Sequence, residues 1–425
     1  MKQNFLLAGM LLCNSVFSQY EKGVDGEKNW LVNWTNFKCK STEYSSPTEI
    51  LNGVITGTKY LKRGKVYLLM GDVYVANNTI LYIEPGTMIR GDFETTGTLI
   101  ITKGSKIIAL GEETDPIVFT SSKGEEERRP GDWGGIVIMG DAPGNKFTGI
   151  FDTSFESKYN LYGGTNHDSD SGILKYVRIE FAGKKGKHNK SLSALSLAGV
   201  GRKTILNNIQ VSFSRDDSYK FYGGNLSAEN LISFKPADDD FNFTEGVQAN
   251  LQNCIAVRSP FTTNSENPRV FEVTTYEDMA SSDLTKASTS VRLSKITAIR
   301  ENEKETGFTD AISYIDNISK VETVNSVFSG FESGYIFSRK INFKNYAVSN
   351  IKFNNIYFNS CNNILVSEDK ELTKSVNVNY FTAESRFETA KKTVHEIFFS
   401  VDFKKIPDLR LKSQGQSFVS NVRLN

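Results

Sequence analysis

The stretch "SRDDSYKFYGG" runs from Ser214 to Gly224, and "PADDDFNFTEG" runs from Pro236 to Gly246. Each sets adjacent aspartates before alternating aromatics and closes on glycine. Asp216 and Asp238 stand 22 residues apart (238 − 216), and so do Tyr219 and Phe241, Phe221 and Phe243, Gly224 and Gly246, and Asn208 and Asn230. Five positions recurring at one period mark a structural repeat. A second repeat aligns "NSVFSGFESGYIFS" (Asn325–Ser338) with "NNIYFNSCNNILVS" (Asn354–Ser367) at a step of 29 (354 − 325), setting Val327 on Ile356, Phe328 on Tyr357 and Tyr335 on Ile364.

Between Gly71 and Gly183 the chain reads as short alternating runs broken by glycine and asparagine turns, as in "VYVANNTILYIEPGTMIRG" (Val73–Gly91) and "GTLIITKGSKIIALG" (Gly97–Gly111). No amphipathic helical stretch of useful length intervenes. Sandwiches, barrels and parallel β-helices share that pattern, but only a solenoid has reason to repeat with so constant a cross-section. The expected fold is all-β: a right-handed parallel β-helix with a short N-terminal capping region.

The 425 residues hold 50 Lys+Arg against 49 Asp+Glu, a balance that points to neither nucleic acid nor an anionic membrane as partner. With 29 Phe and 17 Tyr but 9 Pro, the composition is β-rich and globular. Lys2, the apolar stretch Phe5–Cys13 and the small-residue site Val16–Ser18 form a signal peptide, so the mature protein is expected to begin near Gln19 and to be secreted. No later stretch is a candidate membrane span. Cys39, Cys254 and Cys361 then remain, an odd number whose spacing fits no metal site. Cys254 reads as a small buried hydrophobe.

"LYIEPGTMIRGD", "IVFTSS", "PGDWGGIVIMG", "YGGTNHDSDSGILKYVRIEFAG" and the Asp-Asp repeat together resemble a family of secreted right-handed parallel β-helix proteins common in Bacteroidota and pectin-lyase-like in fold. The likeness covers roughly Tyr60 to Pro260 and implies fold and compartment; the family's activity is undefined. Residues 269–425 depart from it in carrying no ending that resembles a cell-surface sorting domain. The expected organisation is a signal peptide over 1–18, a lead-in over 19–60 that caps the open end, and family-like coils over 61–270. Further coils with loop insertions and a C-terminal cap fill 271–425, where "RENEKETGF" and "SEDKELTKS" are charged loops.

Alternation assigns the candidate site. If Tyr219, Phe221, Phe241 and Phe243 face the core, then Asp216, Lys220, Asp238 and Asp240 face outward together, while Asp217 and Asp239 turn inward. Coils lie ~4.8 Å apart, where two ionised carboxylates repel by roughly 3 kcal/mol at an effective dielectric near 20. Three remedies stay open. The aspartates cap their own turns, with Arg215 and Lys235 as neutralisers. Or Asp216, Asp238 and Asp240 hold Ca²⁺. Or they are catalytic, with Lys220 as a lyase base. Pectin-lyase-like folds host hydrolases and lyases of acidic polysaccharides, and "RDDSYKF" distantly resembles the Asp-Asp segment of polygalacturonase-type hydrolases. No Gly-His-Gly or Arg-Ile-Lys follows it, and His167, His188 and His395 are the only histidines.

"DSDSG" (Asp168–Gly172) lacks the glycine and glutamate of a calcium loop, since Ile173 and Ile179 stand there. Trp133, in "GDWGG", is either a sugar-stacking platform or a core cap, and Trp30 and Trp34 pose the same choice. The expected role is non-catalytic, in carbohydrate binding, adhesion or surface structure, with no cofactor required and Ca²⁺ an option. The alternative is a polysaccharide lyase or glycoside hydrolase working through the Asp-rich coils.

Overall fold

The computed structural model describes residues 22–152, 154–184, 192–261, 267–301, 311–316, 318–341, 350–369 and 387–412. The signal segment, His188 and most of both charged loops lie outside them. One 26-stranded sheet winds through the chain, and its strands pair in parallel with strands one coil away. The fold is a right-handed parallel β-helix. No helix among the described residues is long and apolar enough to cross a membrane.

Each coil has three faces. The first sheet contains residues 225–229, Gln248–Gln252 and Ser290–Ser294, and the second contains residues 231–234, Ile255–Arg258 and Thr297–Arg300. The third contains Leu195–Ala198, Tyr219–Tyr222, Phe241–Thr244 and Arg269–Val273.

The corner between the first two sheets explains the recurring asparagines. Asn208, Asn230, Asn253, Asn325 and Asn355 all have left-handed backbones, with φ between 50° and 57°. Most side chains resist that conformation by about 1–2 kcal/mol, whereas asparagine tolerates it by local hydrogen bonding. Their amides link coil to coil: Asn230 donates to Asn208 at 3.3 Å, Asn253 to Asn230 at 2.6 Å and Asn355 to Asn325 at 2.8 Å.

Inside, Tyr219 lies in register over Phe241, with ring centroids 5.1 Å apart and planes within 8°. Phe271 continues the stack at 5.5 Å, and Phe221 sits 4.8 Å from Phe243. Such contacts contribute about 0.5–1.5 kcal/mol each beyond burial. The 22-residue step is therefore one coil.

The later step is 30 residues, not 29. Ser326 meets Ile356, Val327 meets Tyr357, Phe328 meets Phe358 and Tyr335 meets Leu365. A slip of one residue would exchange the two faces of the strand. The asparagine corner fixes the register, pairing Asn325 with Asn355 where the sequence alignment chose Asn354.

The lead-in divides. Glu49–Ile55 and Lys59–Leu61 form the first coil, pairing with Val66–Val75 and Ile80–Ile83. The part from 22 to 39 lies along the outside of the second sheet: Gly23 N–H donates to Asn325 O at 2.8 Å, and Val24 N–H to Thr297 Oγ1 at 2.9 Å. Val24, Leu31, Trp34, Phe37 and Cys39 there cover Phe181, Phe234, Ile255 and Val257 in a second apolar core, which Ile397, Phe398 and Leu409 complete from the other terminus. The outward side chains of that sheet are largely apolar, and burying them stabilises this flank.

Candidate functional site

The two Asp-rich corners enter the third sheet, and the structure divides their carboxylates differently from strand alternation. Asp240 is fully buried, not outward. Its Oδ2 accepts from Arg258 Nη1 at 2.7 Å, and its Oδ1 accepts from Ser233 Oγ. Burial pushes its carboxyl up, while Arg258 and Ser233 pull the other way. Arg258 also donates to Asp238 O and Arg269 O, each at 2.8 Å, so one guanidinium ties the corner together. Sequence reasoning missed Arg258, which lies one coil on in the second sheet. The neighbours it named do not serve: Arg215 is exposed, and Lys235 pairs with Glu301 at 2.6 Å.

The group that converges is Asp217, Asp238 and Asp239, with one oxygen from each within 4.8 Å of the others. Asp216 sits at its edge, half-buried, and shares Ser193 Oγ with Asp217 at 3.4 and 3.3 Å. Asp217 Oδ1 accepts from Asp239 N–H at 3.2 Å, and Asp239 Oδ1 accepts from Arg269 N–H at 2.8 Å. Asn242 bridges Asp239 to Glu272 on the next coil, at 3.3 and 3.2 Å. Burial, followed by Asp216 beside one and Glu272 beside the other, raises the Asp217 and Asp239 carboxyls well above the usual range. A proton or a hard cation relieves such a cluster, and several carboxylate oxygens are the donors that Ca²⁺ takes.

Lys220 lies 3.9 Å from Asp217 Oδ2 and 3.5 Å from Glu277 Oε1, not beside Asp238 and Asp240. Burial pulls its ammonium down, but Tyr222, Asp217, Glu277 and Asp216 more than offset this and hold it well above the usual lysine value. So placed, Lys220 is a counter-ion to Asp217 and Glu277.

Trp133 is no sugar platform. It is fully buried, its Nε1 donates to Glu180 O at 2.8 Å, and its ring stacks on Phe119. Trp34 is likewise buried, with Trp30 stacked on it at 6.1 Å. His167 and His395 are exposed.

The excursion over residues 142–164 folds back on the third sheet. Phe151, Phe155 and Tyr162 close over Tyr74, Val137, Ala198 and Tyr222. Tyr162 Oη donates to the buried Glu245, which Lys146 reaches at 2.7 Å.

Among the described residues, the outer side of the first sheet has no such cover. Tyr60, Tyr82, Ile108, Ile173 and Ile205 occupy one outward column in register from coil to coil. Leu206 over Ala228 sets Ile205 above Ser227, and the column continues through Asn250, Arg292, Glu322 and Lys352. Tyr60 and Tyr82 stack at 4.9 Å with planes within 10°, and Tyr60 is 51% exposed. A beside-lying column runs Asn225, Gln248, Ser290, Lys320. The polar halves of the two columns line one shallow groove.

Residues 53–397 match a family model described as a pectate-lyase like beta helix domain. Comparison with curated proteins gives no match. Among solved structures, full-length tailspike protein 2 from Escherichia coli O157:H7 bacteriophage CAB120 is similar over 76% of this chain and 37% of its own, at 10% identity and a TM-score of 0.25. That likeness is too loose to transfer any property.

Proposed function

Because the chain belongs to the pectate-lyase-like beta helix family, we propose that it is a secreted, non-catalytic protein that lays a polysaccharide along the open face of its first sheet. The in-register column from Tyr60 to Lys352 carries this reading. Ten positions at ~4.8 Å per coil make a track of roughly 43 Å. Its aromatic end, with Tyr60 stacked on Tyr82, offers apolar ring edges and hydroxyls to a sugar chain. Its polar end offers Ser227, Asn250, Gln248 and Ser290, whose amides and hydroxyls match sugar hydroxyls. Calorimetric titration with polysaccharide fragments tests it. Tyr60→Ala and Asn250→Ala should each weaken binding, while Asp217→Asn should not. Affinity indifferent to both open-face variants refutes the reading. Secretion rests on Lys2, Phe5–Cys13 and Val16–Ser18. Sequencing of native-host protein should start near Gln19, and an intact Met1 would refute it.

A second reading rests on Asp217, Asp238 and Asp239. Retaining glycosidases likewise use two close carboxyl groups, and here one oxygen from each of the three lies within 4.8 Å of the others. Asp217 or Asp239, its carboxyl raised by burial, would act as general acid. Lys220 lies by Asp217 and Glu277 and serves this reading as their counter-ion. New reducing ends from acidic polysaccharide, lost in Asp217→Asn and Asp239→Asn, would establish hydrolysis. The same oxygens make Ca²⁺ the ion expected to stabilise this corner.

A further inference from the structure

We infer that the flank where the two termini meet holds a separate binding site, a pocket for a small amphipathic anion with an apolar body and one anionic head. The pocket measures ≈ 560 Å³, within the roughly 300–1,000 Å³ usual for small-molecule sites. Three segments far apart in the chain wall it. They are the strap at residues 37–41, the outer face of the second sheet at Phe213 and Phe234, and the hairpin turn at residues 401–404. The pocket shares no residue with the first-sheet groove.

Its floor is aromatic. Phe37 and Phe213 each meet Phe234 edge-on, at 5.0 and 5.4 Å, and Phe403 closes on Phe37 and Phe234 at 5.6 and 5.3 Å. Its rim is basic, with Lys38, Lys40, Lys235 and Lys404 set against Glu301 and Asp402. Both carboxylates are engaged: Glu301 pairs with Lys235 at 2.6 Å, and Asp402 accepts from the Lys404 backbone N–H at 2.9 Å. Among the described residues, Lys38, Lys40 and Lys404 have no carboxylate within 4.0 Å of their ammonium groups. Lys40 Nζ instead lies over the Phe213 ring, 4.4 Å from its centre. An ammonium group placed so keeps N–H donors for an anion, while the rings offer an apolar body somewhere to leave water. A neutral apolar molecule would leave the lysines unpaired, and a hydrophilic anion would leave the rings bare. An apolar body with one anionic head satisfies both.

Fluorescence titration of the full chain with anilinonaphthalene sulfonate and with its uncharged relative N-phenylnaphthylamine tests the inference. The anionic probe should saturate a single site and bind about tenfold more tightly than the neutral one at low salt, a margin that should shrink at physiological salt. Lys40→Gln combined with Lys404→Gln, both exposed, should remove most of that margin and leave the neutral probe unchanged. Phe403→Ala should weaken both probes, with a thermal melt to show that the fold persists; if it does not persist, the lysine pair alone decides. Lys320→Gln, in the first-sheet groove, should alter neither. Dodecanoate and naphthoate then compete for the bound anionic probe. Displacement by either supports the inference, dodecanoate alone assigning an alkyl body and naphthoate alone an aryl one. No saturable site, equal affinity for the neutral probe with the lysine pair silent, or displacement by neither carboxylate overturns it.

Discussion

The outward residues of the third sheet and those of the first obey the same alternation, yet Tyr222 is 4% exposed and Ile205 is 49% exposed. The difference is made elsewhere. Residues 142–164 fold back over the third sheet and bury what strand geometry had turned toward water. Among the described residues the first sheet has no such cover. Burial changes what charge means. The buried carboxylates of the Asp-rich corners need Arg258, Lys220, protons or a cation. On the open face, Lys320 and Lys352 are stabilised by water alone and remain available to a ligand.

Breaking the Asp240–Arg258 pair should show the buried corner at its most sensitive. Arg258→Ala leaves a buried carboxylate without its cation and is expected to destabilise by about 3–5 kcal/mol in denaturant unfolding. A loss below about 1 kcal/mol would mean that the corner is wetter than its contacts imply.

Calcium should act next. If Ca²⁺ binds Asp217, Asp238 and Asp239, a concentration near a hundred times Kd adds about 2.7 kcal/mol. The melting temperature should rise with calcium, fall with chelator, and ignore both in Asp238→Asn with Asp239→Asn. A wild-type melt indifferent to calcium assigns the cluster to protons.

The pH dependence follows from the raised Asp217 and Asp239 carboxyls. Between the unfolded value near 3.9 and the raised folded value, the native state binds more protons than the unfolded state. Stability is therefore fully present below the unfolded value and is lost as pH rises through the folded one, by about 1.4 kcal/mol per unit per carboxyl. Asp217→Asn with Asp239→Asn should flatten that slope in calcium-free buffer. An unchanged slope would place the titrating groups elsewhere.

The open face should barely register in stability. Tyr60→Ala and Ile205→Ala are expected within about 0.5 kcal/mol of wild type by thermal melting, while Tyr60→Ala weakens glycan binding. A large loss of stability from either would show that the column is packed against something.

Much of the coil was legible in the text. Tyr219 over Phe241 and the asparagine corner follow from spacing, because coils of constant cross-section put equivalent residues at a fixed step. The Asn354 alignment failed because hydrophobic matching alone tolerates a slip that a backbone with positive φ at Asn355 does not. For the site, the Asp-Asp doublets marked the right corners but not the right atoms. Asp239 entered the cluster and Asp240 left it because Arg258 lies 18 residues from Asp240, on another sheet, and captures its carboxylate.

By itself, then, the sequence determined the 22-residue step, the stacking direction and the aromatics that share the inner strand face, since these depend on local backbone geometry repeated from coil to coil. The tertiary structure alone decided which outward residues meet water. The fold-back of 142–164 over the third sheet and the straps of both termini over the second join segments far apart in the chain, such as Gly23 with Asn325. Those contacts depend on packing between non-repeating segments, which no period encodes. Among the described residues, they leave the first-sheet column facing solvent.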